Sequence, residues 1–184
     1  MSAELIIFGV VIVLVVIWFV GVYNGLIQVQ QNIVKAFANI EVLLMQRTDE
    51  LTKLMKTVQS YAKHEKEIFA NVVKARETML GAKTVSEKAK ASGGISDALK
   101  SVFALSEDYP ELRSTENFLQ LQNRISDLED SIADRREFYN ESVNNYNIRI
   151  KSIPDVIIAS AMSLSPQEMF EVPEEKKQDV EIDL

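Results

Sequence analysis

Eighteen consecutive residues without a charge, "LIIFGVVIVLVVIWFVGV" (Leu5–Val22), constrain this chain more than any other stretch. As a helix rising 1.5 Å per residue they extend roughly 27 Å, about one hydrocarbon core. Trp18 and Tyr23 suit the interfacial belt at the C-terminal end of the run. A secretory signal peptide would need a basic n-region and a small-x-small cleavage site, but only Glu4 precedes the run as a charge and "FVGVYNG" is a poor site. The stretch therefore reads as an uncleaved single span, with residues 1–24 forming the tail and anchor. Lys35 is the one basic residue within 20 of its C-terminal end and the N-tail has none. The positive-inside rule accordingly expects a single-pass protein of the cell membrane with its body in the cytoplasm.

Beyond the span the chain reads in sevens. Phe37, Leu44, Leu51, Val58, Val72 and Met79 fall on one row, and Ile33, Ile40, Leu54, Tyr61, Ile68 and Ala75 on a second, offset by three. That alternation predicts a long coiled-coil-like helix from Leu26 to Leu80, about 55 residues. Its seam is interrupted by two charges, Arg47 and Glu65. "GAKTVSEKAKASGG" (Gly81–Gly94) breaks the pattern and reads as a flexible loop. A short amphipathic helix follows, with Ile95, Leu99, Val102 and Phe103 on one side, then a turn at "DYPELRS" with Ser114 as its N-cap. Phe118, Ile125, Ile132, Tyr139, Tyr146 and Ile153 then recur every seven residues, and Pro154 ends that helix before a final apolar one in "DVIIASAMSL". Two long striped helices can bury their stripes only against each other. The expected fold is all-α: a transmembrane helix, then an up-and-down antiparallel bundle over residues 25–165.

The charges on the seam are the candidate functional residues. If the helices around Leu80 and Glu116 lie antiparallel, Glu65 comes level with about residue 131, within a turn of Arg135 and Arg136. Glu65 then reads as one half of a buried interhelical ion pair with either arginine, with His64 hydrogen-bonding at its edge. Arg47 belongs to the same kind of structural polar layer. The first helix is longer than its expected partner, so Leu26, Ile33 and Phe37 are expected to be uncovered and to pack against other subunits or the final helix.

Composition excludes several functions. Cysteine is absent and His64 is the single histidine, so neither a thiolate nor a two-His zinc site can form. No nucleophile elbow, phosphate loop or dinucleotide fingerprint occurs, and neighbours such as His64 and Glu65 do not face each other on a helix. Tyr61, Tyr139 and Tyr146 read as core aromatics, and Asn140, Asn144 and Asn147 as caps of polar layers. The net charge of −7 gathers at the C-terminal end, where residues 166–184 carry a net −5, which argues against nucleic acid as a partner. Within that tail "DVEIDL" alternates Val180, Ile182 and Leu184 with acids in strand fashion.

Taken in order, "YNGLIQVQQNIVKAFANIEV", "RTDEL", "YAKHE", "VVKAR", "YPELR", "FLQLQ", "RREFYN" and "YNIRI" resemble the LemA family of membrane-anchored prokaryotic proteins, from Tyr23 to Pro154. The chain departs from the family where Ala36-Phe37 replaces Ala-Trp and "DELTKL" replaces a proline-containing "DLIPNL". The resemblance implies one N-terminal span and a helical bundle, with no established activity. Genes of that family often neighbour those of membrane metalloproteases or envelope-stress proteins. The function expected is a non-enzymatic scaffold or adaptor, without cofactor or metal, acting by homo-oligomerisation and partner binding at the lipid bilayer. The alternative is a regulator of a membrane metalloprotease or envelope-stress system. Leu5–Val22 should remain in the mature protein as its only span; N-terminal sequencing that starts after residue 20 would disprove this.

Overall fold

The computed structural model describes residues 3–171, and every regular element among them is helical. In order these are α1 (Ala3–Gln59), α2 (Lys66–Gly81), α3 (Val85–Glu107), α4 (Pro110–Arg113), α5 (Glu116–Arg149) and α6 (Asp155–Ala161). The described residues form two compact units: 3–37 with 138–168, and 38–137 with 169–171. The strand-like reading of residues 179–184 lies outside the described residues.

In the first unit, α1 begins with its apolar run fully open, Leu5 at 61% and Ile17 at 63% exposure. Among the described residues α1 is the one helix long and apolar enough to cross a membrane. Burial starts immediately after the run, at Leu26, Ile33 and Ala36. Tyr139, Val143 and Tyr146 of α5, with Ile150 just past its end, are buried at alternating three- and four-residue spacing, which places them on one face. The two helices run antiparallel here. The Phe37 and Tyr139 rings lie 5.6 Å apart, and Arg149 Nη1 donates to the Gly25 carbonyl at 3.1 Å. Leu26 and Ile33 are thus buried within the chain and Phe37 is half-buried against Tyr139, so the expected oligomer interface is not an open one. The single helix expected through Leu80 is instead divided, because α1 ends at Gln59 and α2 begins at Lys66.

Past α6 the chain is pinned back onto α5 by polar side chains. Tyr139 Oη donates to the Glu168 carbonyl at 2.9 Å and Tyr146 Oη to the Ser165 carbonyl at 3.2 Å. Asn147 closes a two-way amide pair, Nδ2 donating to the Gln167 carbonyl at 3.0 Å and Oδ1 accepting the Gln167 N–H at 2.8 Å. The asparagine thus caps a backbone segment.

In the second unit, α1 buries Ile40, Leu44, Leu51, Leu54 and Val58, in agreement with the seven-residue rows as far as Val58. The helix then stops at Gln59, and residues 60–65 form a turn. No glycine or proline marks the break; Ser60 Oγ donates to the Thr57 carbonyl at 2.7 Å, a local bond that competes with helix propagation. α2 restarts at Lys66 and packs on α3, with Phe69, Val72 and Met79 buried. α3 includes much of the stretch expected to be a loop. Thr84 opens it with a capping box: its hydroxyl accepts the Glu87 N–H while the Glu87 carboxylate accepts the Thr84 N–H. The backbone N–H groups of Lys83 and Thr84 hold the Glu87 carboxyl below the usual range. "TVSE" carries that signature, and the small residues after it are helical because they face the interior, with Ala89, Ala91, Ser92 and Gly93 buried. The N-cap of α5 falls one residue later than expected, at Thr115, whose hydroxyl accepts the Phe118 N–H at 3.4 Å.

Burial pushes the phenol pKa values of Tyr139 and Tyr146 up. A phenol kept neutral in the fold contributes stability that is complete below its unfolded pKa of about 10 and is lost as pH rises toward the folded value. Thermal unfolding of the protein should therefore shift to lower temperature above about pH 10, and Tyr139→Phe with Tyr146→Phe should flatten that decline.

Candidate functional site

The one large charged side chain buried completely among the described residues is Arg47, at 1% exposure on α1. Three helices of the second unit meet around it. α3 supplies Ser92, Ser96 and Lys100, four residues apart and therefore on one face, and α5 supplies Glu129, Ile132, Ala133 and Arg136 on another. Together they line a cavity of about 230 Å³. Arg47 Nη1 donates to Ser92 Oγ at 3.2 Å and reaches the Ser92 carbonyl at 3.5 Å, and Nη2 donates to Ser96 Oγ at 2.6 Å. Nη2 also forms an ion pair with Glu129 Oε1. One turn along α1, Glu50 pairs with Lys53 at 2.8 Å and with Arg124 of α5 at 3.6 Å. Arg47–Glu129 and Glu50–Arg124 establish an antiparallel register of α1 and α5 in this unit. Lys88 on α3 adds an ion pair to Glu41 at 3.1 Å.

Electrostatics follow from this burial. Desolvation lowers the Arg47 pKa, and the nearby Glu129 carboxylate partly offsets it. Arg136 is lowered for the same reason, again opposed by Glu129. The Arg136 guanidinium lies 5.3 Å from the Phe170 ring centroid, a cation–π distance. Three cations (Arg47, Lys100, Arg136) and two carboxylates (Asp97, Glu129) line one cavity, and the Glu129 charge acts on both guanidiniums. Among the described residues no group of His, Asp or Glu is arranged to hold a metal ion.

The expected residues are only partly brought together. Arg47 and Arg136 line the same cavity, whereas Arg135 is exposed and does not line it. The pairing of Glu65 with Arg135 or Arg136 is not made. Glu65 sits half-buried at the N-cap position of α2, beyond the break in the first helix, and His64 is exposed in the turn. Continuing α1 through residues 60–65 shifts the assumed register, which places the wrong acid level with the arginines. The seven-residue pattern does not single out Glu129, Ser92 or Ser96. Glu129 lies on α5 near the interrupted apolar row, a signal visible in the sequence, but its partner depends on register.

The profile of the LemA family matches residues 36–184. The chain belongs to the LemA family. Among its relatives, Protein LemA of Metamycoplasma hominis is 26% identical over 167 residues, covering 89% of this chain and 75% of the relative. Magnetosome protein MamQ of Magnetospirillum gryphiswaldense is 24% identical over 174 residues, covering 80% and 64%. Magnetosome protein MamQ 2 of Paramagnetospirillum magneticum is 33% identical over 81 residues, covering 44% and 30%. This LemA-family chain thus spans less than two thirds of the length of either magnetosome relative.

Charge burial makes the cluster asymmetric toward mutation. Glu129 is 42% exposed and can rehydrate when left alone, whereas Arg47 cannot. Glu129→Ala strands a buried cation and should cost about 3 kcal/mol, the low end for a buried pair because one partner touches water. Arg47→Leu should cost less, because an apolar side chain replaces the buried ion. Urea unfolding of both variants checks the order; equal losses would contradict it.

Proposed function

We propose that this LemA-family protein is a non-enzymatic scaffold anchored by a single span, with its helical body on the cytoplasmic side of the cell membrane. The observation that carries the reading is the passage, inside one uninterrupted helix, from a fully exposed apolar run to buried positions at Leu26 and Ile33. An anchor continuous with a packed helix fixes the position of the body at the bilayer, whereas a removable leader is usually separated from the fold by a cleavable, extended segment. The buried charges support a structural role for the polar cluster, since Arg47 is already engaged by a carboxylate and two serines. Self-association and partner binding then fall to surfaces the described residues leave open, among them Phe138 at 52% exposure.

Two measurements test the proposal. The mass of the full chain in detergent and in nanodiscs should correspond to a discrete multiple of 20.8 kDa, and Phe138→Glu should shift it downward. A monomer at every concentration would end the self-association reading. For orientation, a cysteine introduced at Val34 should react with a membrane-impermeant maleimide in inverted vesicles and not in intact cells. The opposite pattern would place the body on the other side.

A further inference from the structure

In the first unit, the end of α5 is held against the base of the apolar run of α1. Gly25, whose carbonyl accepts Arg149 Nη1 at 3.1 Å, lies only three residues past Val22, about 4.5 Å along the helix. A Cβ at Gly25 would meet the Arg149 guanidinium at 2.4 Å, so the glycine lets that close approach occur. The same guanidinium binds Asp155 in the first turn of α6, Nε donating to Oδ2 at 2.5 Å. Arg149 therefore ties α1, α5 and α6 together at one level. α5 is antiparallel to α1, so the residues that continue past Arg149 are directed toward the apolar run.

Those residues, 150–154, turn into α6, and Ile153 with Ile157 forms an apolar surface that no described residue covers. Ile153 is 86% exposed and Ile157 65%, the former more open than any large hydrophobic residue in the apolar run itself. Lys151 is exposed beside them, and Asp155, the nearby acid, is engaged by Arg149. Two isoleucines held open at the end of a run suited to the hydrocarbon core, with a lysine at headgroup level, have the character of an interfacial contact.

We infer that the α5–α6 turn is a second membrane contact: Ile153 and Ile157 insert into the headgroup and acyl boundary of the leaflet from which α1 emerges, and Lys151 faces the lipid phosphates. This rests on the reading of Leu5–Val22 as a span. The occupant is the lipid surface itself, because the span places the bilayer at this level while the turn is fixed to α1 by Arg149. Such a contact would hold the base of the body against the bilayer at two points.

The chain has no cysteine, so single-cysteine variants of the full-length protein can be labelled with an environment-sensitive fluorophore in phosphatidylcholine–phosphatidylglycerol vesicles. Ile153→Cys and Ile157→Cys report the turn, Val13→Cys the span, and Val34→Cys a position on α1 about 18 Å beyond Val22. For insertion of about 5–10 Å, labels at 153 and 157 should be quenched by lipid-borne nitroxide and about five-fold less by iodide than the label at 34. If 153 and 157 respond to iodide as 34 does while 13 stays protected, the contact is disproved and the span stands. Labels at 153 and 157 shielded from both quenchers would mean that protein covers the turn, and would also disprove the contact. If 13 itself is open to iodide, span and contact fall together.

Discussion

A guanidinium removed from water must be matched by charge and hydrogen bonds at close range, and the core of the second unit is arranged around that requirement at Arg47. Its serine partners on α3 and its carboxylate on α5 oblige three helices to approach one point. The small residues Ser92 and Gly93 leave room for the side chain on α3, while Ile132 and Ala133 close the cavity on α5. Apolar stripes alone permit sliding by a heptad, because one leucine layer resembles the next. A charge layer does not, since a slip would separate Arg47 from Glu129 and Glu50 from Arg124 at once.

The first unit solves a related problem with fewer charges. Arg149 satisfies a carbonyl of α1 and a carboxylate of α6 with one side chain. The segment after α6 has no regular structure, so its backbone groups need partners from elsewhere, and Tyr139, Tyr146 and Asn147 provide them. These side chains sit at core or flanking positions of α5 and carry polar tips, which allows one helix face to serve both as apolar packing and as a backbone partner.

Membership of the LemA family and the fold are mutually consistent: an apolar helix that the chain leaves bare continues into a helix that the chain packs closely. The ionisable residues drawn furthest from water are engaged with one another, which is how a fold retains buried charge without exposing it to reaction. Function, on this reading, resides in where the anchor and the open apolar positions hold the body.

Sequence alone determined the helical class, the long apolar run at the start of α1, the rows from Ile33 to Val58 and from Phe118 to Tyr146, and the end of α5 before Pro154, because periodicity and proline chemistry are local properties of the chain. It also contained the capping box of α3, legible in "TVSE" but overshadowed by the glycines that follow it. The break at residues 60–65 was not legible, since no glycine or proline announces it and the seven-residue rows resume on its far side. The tertiary structure decided the consequences of that break. Within the first unit Leu26 and Ile33 are buried inside the chain, and within the second the break after Gln59 goes with the observed register of α1 against α5. That register selected Glu129 and left Glu65 at a helix start, because which charges meet depends on the alignment of helices far apart in sequence, and periodicity within each helix is the same for every alignment.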